Sequence, residues 1–269
     1  MIVLPALAGC RAEPPPSQTV ARPSVAAACG HAHNDYLHER PLFDALAFDF
    51  CSVEADVWLV EGELRVGHDR AAAARGPTLR TLYLDPLARL VAARGRINDG
   101  VDGFTLLVDV KSEADATYGA IDAELQRTPS LFTAWRDGVV VEGPVTVIIS
   151  GNRARALVEK QSPRWAALDG RWSDLVPCDD AKLTPLVSDD FASGFALSWD
   201  GRGSVPSSVR DKLQDAAAWA RARNEHLRVF GWPGDDREAW SAQIEAGVDR
   251  INADDLAGLA SLLGALRGR

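Results

Sequence analysis

Short apolar runs alternate with Ala- and Leu-rich stretches of helical periodicity along most of the chain. Two of the runs, residues 106–108 and 145–149, are continuously apolar, as strands are when both faces of a parallel sheet are covered. The pattern therefore predicts buried parallel strands. They are expected at residues 25–30, 52–59, 104–110, 145–150, 165–169, 184–188, 195–199, 228–232 and 250–252.

Helical periodicity fills the intervals between these strands. Such alternation over about 240 residues fits a (β/α)₈ TIM barrel better than an open doubly wound sheet. The first predicted strand is followed by no Gly-x-Gly-x-x-Gly, which removes the main reason to expect a Rossmann fold. We expect one barrel domain at residues 25–269, with helices at 41–50, 84–94, 114–126, 153–160, 209–223 and 237–246.

The chain begins with an apolar run that is too short to span a bilayer. Residues 1–10 end in Leu-Ala-Gly-Cys, which resembles a bacterial lipobox, and residues 11–24 form a Pro-rich tether. No Lys or Arg precedes the apolar run, which suggests that the natural start lies upstream. We expect a lipid anchor on Cys10 and a location in the bacterial cell envelope, lipid-anchored or secreted; the other interpretation is a frayed apolar N-terminus.

The net charge limits the kinds of ligand that the protein can bind. The chain has 269 residues and a formal charge of −9, so it offers no broad cationic field for nucleic acid. An acidic protein that handles phosphate needs a metal ion or a local basic group.

Cys29 would end one predicted strand and Cys51 would open the next, at opposite faces of the barrel, so a disulfide between them is not expected.

Acidic side chains gather where predicted strands end. Glu54 and Asp56 are two apart on a strand and share one face, where they would repel unless a cation lay between them. Asp109 on the next strand and the Asn34 carbonyl complete an all-oxygen set, which suits Mg²⁺ or Ca²⁺. The alternative is pairing with arginines at the barrel rim, although no Arg or Lys lies close in sequence.

Four of the five histidines fall between residues 31 and 68. Either His31 or His33, together with His68, would provide the base and the acid that phosphoryl transfer requires. Lys111 would neutralise a phosphate oxygen. His38 and His226 are interpreted as solvated residues.

The segments 30–36 (Gly-His-Ala-His-Asn-Asp-Tyr), 52–58 (Ser-Val-Glu-Ala-Asp-Val-Trp) and 66–69 (Val-Gly-His-Asp) together resemble the phosphatidylinositol-specific phospholipase C-like superfamily. Glycerophosphodiester phosphodiesterases share this layout, and the likeness is greatest to the branch related to altered-inheritance-of-mitochondria-6 proteins. Residues 228–233 and 247–256 also resemble that branch, so the likeness covers about residues 25–263.

This resemblance implies a metal-dependent phosphodiesterase acting on a phosphodiester small molecule or a phospholipid head group. It places the metal ligands on Glu54, Asp56 and Asp109, and the second catalytic histidine on His68. Phospholipases C match at His33-Asn34 and sphingomyelinases D at Gly30-His31, so both histidines remain candidates. Trp232 would line the substrate pocket or pack at the barrel mouth. The His-Arg-Gly and Glu-Asn-Thr elements of typical glycerophosphodiesterases are absent, which argues against glycerol-type substrates.

Two other functions are compatible with parts of the pattern. His-x-His after the first strand also begins the binuclear site of amidohydrolase-type barrels, but those sites need further histidines, and only His226 follows His68. A surface lipoprotein that keeps the barrel for binding would differ from the enzyme only in lacking metal-dependent hydrolysis.

Overall fold

The computed structural model describes residues 28–98, 103–172 and 181–268. Eight parallel strands close into a barrel, since the first strand pairs with both the second and the last, and the predicted TIM-barrel fold is confirmed. The strands are β1 (Cys29–Ala32), β2 (Ser52–Val60), β3 (Glu63–Val66), β4 (Phe104–Val110), β5 (Ala134–Arg136), β6 (Val139–Val141), β7 (Val145–Gly151), β8 (Ala166–Gly170), β9 (Leu186–Asp190), β10 (His226–Phe230) and β11 (Arg250–Ala253). Strand β3 lies antiparallel to β2, and β5 and β6 form a separate hairpin.

Helices follow most of the barrel strands and bury their apolar faces. In the longest one, Val209, Leu213, Ala216 and Ala220 are buried at helical spacing. Among the described residues, no helix combines the length and apolar character that crossing a bilayer requires. The α-helices are α1 (Phe43–Ala47), α2 (Arg70–Ala73), α3 (Asp85–Arg94), α4 (Ala114–Leu125), α5 (Arg155–Lys160), α6 (Ser207–Ala222), α7 (Arg237–Ala246) and α8 (Leu256–Arg267).

The prediction of a strand at residues 195–199 is wrong. This segment lies in the loop after β9, where Phe195 and Leu197 are buried and Phe195 stacks on Trp172, with ring centroids 5.4 Å apart. The apolar alternation that suggested a strand thus reflects packing at the barrel mouth. Strands β9 and β10 are each displaced by two residues from their predicted starts.

The cysteine prediction is also wrong, because β1 begins at Cys29 instead of ending near it. Cys29 and Cys51 therefore lie at the same end of two neighbouring strands. Their Cα atoms are 6.0 Å apart and a disulfide joins them. A misplaced strand boundary caused this error, since the separation estimate was correct for cysteines at opposite strand ends.

The barrel interior is divided into two layers. The lower layer is apolar and contains Leu107, Ile148, Ala167 and Leu186, from four consecutive strands. Two residues further along each of these strands, the side chains become polar. This upper layer receives one residue from every barrel strand: His31, Glu54, Asp109, Ser150, Asp169, Ser188, Arg228 and Asn252. Polar chemistry is therefore concentrated toward the C-terminal ends of the strands, where TIM-barrel active sites lie.

Candidate active site

Three carboxylates meet inside the upper barrel. Glu54 and Asp56 lie on the inward face of β2, and Asp109 on β4 stands in register with Asp56. One oxygen from each lies within 4.8 Å of the others, and Glu54 and Asp56 are buried. Within the described ranges this is the one group of three or more His, Cys, Asp or Glu residues with metal-binding spacing. The predicted convergence of these acids is present, whereas the histidine cluster of an amidohydrolase-type site is not found among these residues.

The carboxylates retain unused ligand capacity. Oδ1 of Asp56 and Oδ1 of Asp109 are buried and accept no hydrogen bond. Burial raises the pKa of both carboxyl groups above the ordinary range, and Glu54 raises both further by charge repulsion. A divalent cation would satisfy both oxygens and offset this repulsion, and the all-oxygen donor set suits Mg²⁺ or Ca²⁺. The residues present therefore fit a divalent metal.

Gly151 makes room for Asp109. It is the last residue of β7 and has a φ of +65°, and a Cβ at this position would lie 1.9 Å from Asp109 Oδ1 and 2.5 Å from the Val110 carbonyl oxygen. A side chain here would therefore displace the Asp109 carboxylate from the cluster.

Lys111 accompanies the cluster, as its spacing from Asp109 predicted. Its ammonium donates to Asp109 Oδ2 at 2.8 Å and lies 3.3 Å from Asp56 Oδ1, which is an ion contact without hydrogen-bond geometry. Burial alone would lower the pKa of Lys111, but Asp109 and Asp56 raise it above its ordinary value. The side chain remains cationic and half-exposed, where a phosphate oxygen could reach it.

Glu54 is paired with an arginine from across the barrel. Arg228 on β10 donates to Glu54 Oε2 at 2.7 Å and to Asn252 at 3.0 Å, and its side chain is buried. Burial would raise the pKa of Glu54, but Arg228 and His31 hold it below its usual range. Arginine pairing, judged improbable from sequence proximity, thus occurs at Glu54 through a residue 174 positions away.

His31 lies against this pair and has no exposed surface. Its Nδ1 is 2.7 Å from Ser52 Oγ and its Nε2 is 3.2 Å from Glu54 Oε2. Burial, reinforced by the Arg228 charge, lowers the pKa of His31 to about 3. Both ring nitrogens are engaged, so His31 helps to hold the Glu54 carboxylate in place.

His33, two residues further along, is partly exposed at the barrel mouth. Its Nδ1 is 2.9 Å from Asp254 Oδ1, and Asn34 Nδ2 is 3.2 Å from its Nε2. Asp254 is in turn held by Asp235, which accepts from its backbone N–H at 2.9 Å. A carboxylate on Nδ1 fixes the ring and leaves Nε2 directed away from it.

Asn34 and Tyr36 connect this loop to the acidic cluster. Asn34 adopts a left-handed conformation with φ of +46°, and its Oδ1 is 2.9 Å from the Tyr36 hydroxyl. The same hydroxyl lies 2.9 Å from Asp56 Oδ2 and 3.3 Å from Nδ1 of His68. Asp35 anchors the loop by accepting from Leu42 N–H, and burial raises its pKa to about 6. Sequence reasoning passed over Tyr36, although it stands within the recognised motif.

His68 is the most exposed of the candidate residues, with 70% of its side chain accessible. Its Nδ1 is 3.6 Å from Asp56 Oδ2. It follows β3, whose antiparallel pairing with β2 returns the chain to the site. The hairpin therefore brings His68 to the solvent side of the carboxylates.

A second polar network lies beside the cluster and was not anticipated. Asp169 on β8 is fully buried, accepts from Ser150 and Ser188, and forms an ion pair with Arg171. Arg171 also donates to Ser150 at 2.9 Å, directly beside Asp109 in the barrel register. Serine and arginine alternate with apolar residues here, a pattern that sequence alone does not distinguish from a solvated strand end.

Trp232 lies at the mouth, just after β10. Its ring contacts Phe191 at 4.7 Å and Trp199 at 6.0 Å between centroids. Its indole nitrogen is buried and donates no hydrogen bond to a described residue. Trp232 thus packs in an aromatic group and also has a free donor at the mouth.

The closed barrel and its acidic cluster define the class of TIM barrels that carry a candidate metal site at the C-terminal ends of the strands. Residues 19–169 match the AIM6-like phosphodiesterase domain. The chain belongs to this family.

The relatives that match this chain are named after a genetic trait and not after an activity. Altered inheritance of mitochondria protein 6 of Eremothecium gossypii is 30% identical and aligns over 84% of this chain and 67% of its own length. The homolog from Arthroderma benhamiae is 27% identical over 84% of this chain and 81% of the relative. The protein from Lachancea thermotolerans is 28% identical, and the match covers 84% of this chain but only 63% of that relative.

A solved structure from Galdieria sulphuraria, provisionally named a glycerophosphodiester phosphodiesterase, has the same fold. Its TM-score is 0.51 at 13% sequence identity, covering 88% of this chain and 98% of the other. At this identity the likeness establishes the fold alone.

The relatives overturn the predicted location. They are fungal proteins, so the expectation of a bacterial cell-envelope protein is wrong. That expectation depended on the short apolar run that ends in Leu-Ala-Gly-Cys and on the Pro-rich stretch after it, and neither feature is specific to a bacterial lipoprotein. Cys10 and the tether at 11–24 lie outside the described residues.

Proposed function

We propose that this protein is a metal-dependent phosphodiesterase in which His33 and His68 act as the base and acid. The observation that carries the proposal is the convergence of three carboxylates, two of them buried and two with unused oxygens, at a barrel mouth that also carries two accessible imidazoles. Such a cluster is costly to maintain without a cation.

Glu54, Asp56 and Asp109 would hold the cation, and the side-chain oxygen of Asn34, linked to Asp56 through the Tyr36 hydroxyl, is a further candidate ligand. Bound there, a divalent ion supplies Lewis-acid stabilisation of charge on phosphoryl oxygens. Lys111 adds a positive charge from the protein at the same edge. Arg228 neutralises Glu54, so that the cluster and its two cations carry a formal charge of about −1 before metal binds.

The exposure of the histidines favours His33 over His31 for proton transfer. His31 has no exposed surface, so a substrate cannot reach its ring nitrogens. His33 has exposed surface, and Asp254 stabilises the imidazolium that forms when His33 Nε2 accepts a proton. His68 lies 3.6 Å from Asp56 Oδ2 and is open to solvent, as suits the acid that meets the leaving group.

The proposed reaction removes one proton from the nucleophile and gives one proton to the leaving group. A hydroxyl oxygen, from water or the substrate, attacks phosphorus while His33 Nε2 takes its proton. The bond from phosphorus to the leaving oxygen breaks, and His68 donates a proton to that oxygen. Water gives a monoester and an alcohol, whereas an internal hydroxyl gives a cyclic phosphate and an alcohol.

The substrate class is a phosphodiester small molecule or a phospholipid head group. The provisional name of the Galdieria neighbour supports this class, and Trp232 would line the pocket at the barrel mouth.

Comparison of His33→Ala and His68→Ala tests the acid–base assignment. Each variant should lower kcat on an unactivated phosphodiester by about 10²–10⁴-fold with little change in KM. A p-nitrophenyl ester needs no leaving-group protonation, so it should restore the rate of His68→Ala but not that of His33→Ala. His226→Ala, at the opposite end of the barrel, is the control. Full activity in His68→Ala, or equal behaviour of both variants on the two substrates, would refute the assignment.

A further inference from the structure

The Tyr36 hydroxyl occupies the junction between the acidic cluster and His68. It lies 2.9 Å from Asp56 Oδ2, 2.9 Å from Asn34 Oδ1 and 3.3 Å from His68 Nδ1. The ring is held by packing against the hydrophobic core, so the hydroxyl position is set by the fold. No role follows for this residue from the proposed acid–base scheme alone.

One phenolic proton must serve these three contacts. Asp56 Oδ2 and Asn34 Oδ1 both accept from this hydroxyl at 2.9 Å, and the carboxylate is the stronger acceptor, so the phenolic proton is directed away from His68. The lone pairs on the Tyr36 oxygen then face His68 Nδ1. A bare nitrogen lone pair would be repelled there, because Asp56 Oδ2 also lies 3.6 Å away.

We propose that Tyr36 is a positioning residue that fixes His68 in its Nδ1–H tautomer, leaving Nε2 as the atom that exchanges protons with substrate. The hydrogen bond made by one imidazole nitrogen decides the state of the other. Tyr36 also joins His68 to the ligand Asp56, so the acid and the candidate metal site keep a constant separation. The catalytic consequence rests on the proposed function, whereas the tautomer does not.

The tautomer can be read directly. Protein labelled with ¹⁵N-histidine and saturated with Mg²⁺ is studied by long-range ¹H–¹⁵N correlation at about two units above the ordinary imidazole pKa. His68→Gln identifies the His68 signals. The wild type should give the Nδ1–H pattern, and Tyr36→Phe, which keeps the ring, should move His68 toward the Nε2–H form. Tyr118→Phe is a matched control, because Tyr118 bonds Gln161 outside the site.

Kinetics supplies the second readout. Tyr36→Phe should lower kcat on an unactivated phosphodiester by about 10–100-fold, with KM nearly unchanged and a much smaller loss on a p-nitrophenyl ester. An unchanged His68 tautomer in Tyr36→Phe overturns the proposal. Equal losses on both substrates, despite a tautomer change, overturn its catalytic part. If the wild type cleaves no phosphodiester but the tautomer moves as expected, the proposed function fails while the positioning role stands.

Discussion

The Glu54–Arg228 pair is the residue-scale contact on which the site most depends. Both side chains are buried, so neither charge can be solvated if the other is removed. Arg228 and His31 both contact Oε2 of Glu54, which fixes the orientation of this carboxylate. The pair therefore combines a stability role with the placement of a candidate ligand.

Replacing Arg228 should be severely destabilising. Arg228→Met keeps an apolar chain of similar length but leaves Glu54 uncompensated, at a cost of about 3–5 kcal/mol. Arg127→Met is the matched control, because Arg127 makes an exposed helical pair with Glu124 and should cost less than about 1 kcal/mol. Chemical denaturation measures both. Equal midpoints for the two variants would mean that the buried pair does not have this role.

At this scale, the sequence predicted residues that act within recognisable local patterns. Glu54 and Asp56 share a strand face, and Asp109 and Lys111 keep the same spacing, so their convergence followed from strand geometry. Arg228, Asp254 and Tyr36 were missed because their roles arise from contacts across the barrel or from a side chain folding back over a loop. Such contacts require the closed barrel and leave no local periodicity.

Among the elements, the strands flanking Asp109 determine the shape of the cluster. Gly151, at the end of β7, allows the Asp109 carboxylate to lie against its backbone. Because its φ is positive, a side chain would be strained even without the contact.

Gly151→Ala should therefore destabilise the fold by more than about 1 kcal/mol and weaken metal binding together. Gly119→Ala is a suitable control, because Gly119 is an exposed residue in the middle of α4 and a Cβ added there would meet no atom within 4 Å. That variant should gain about 0.4–1 kcal/mol. Thermal unfolding with and without Mg²⁺ compares them. Unaltered metal response in Gly151→Ala would contradict the role assigned to this glycine.

Strand existence was more predictable than strand boundaries. The continuous apolar runs of β4 and β7 were located to within one residue, since burial on both faces leaves a strong signal. The start of β1 was not located this closely, because the small residues before Cys29 carry no periodicity. That single boundary determined whether Cys29 and Cys51 could meet, so a shift of a few residues reversed the disulfide prediction.

Over the whole molecule, the barrel separates stability from chemistry. The apolar lower layer and the Cys29–Cys51 disulfide lie toward the N-terminal ends of the strands, whereas the ionisable residues lie toward the C-terminal ends. Closure brings residues from opposite strands together, as Glu54 and Arg228 illustrate. This arrangement lets the fold tolerate a polar upper interior that would otherwise be costly.

Metal-linked hydrolysis tests the central claim most directly. Phosphodiester cleavage and thermal stability are measured over a range of Mg²⁺ and Ca²⁺ concentrations for the wild type, Asp109→Asn and the exposed control Asp115→Asn. The wild type and the control should hydrolyse substrate only with metal and gain about 2.7 kcal/mol at a hundredfold excess over Kd. Asp109→Asn should lose both responses. Metal-independent cleavage by the wild type, or an undiminished metal response in Asp109→Asn, would contradict the account.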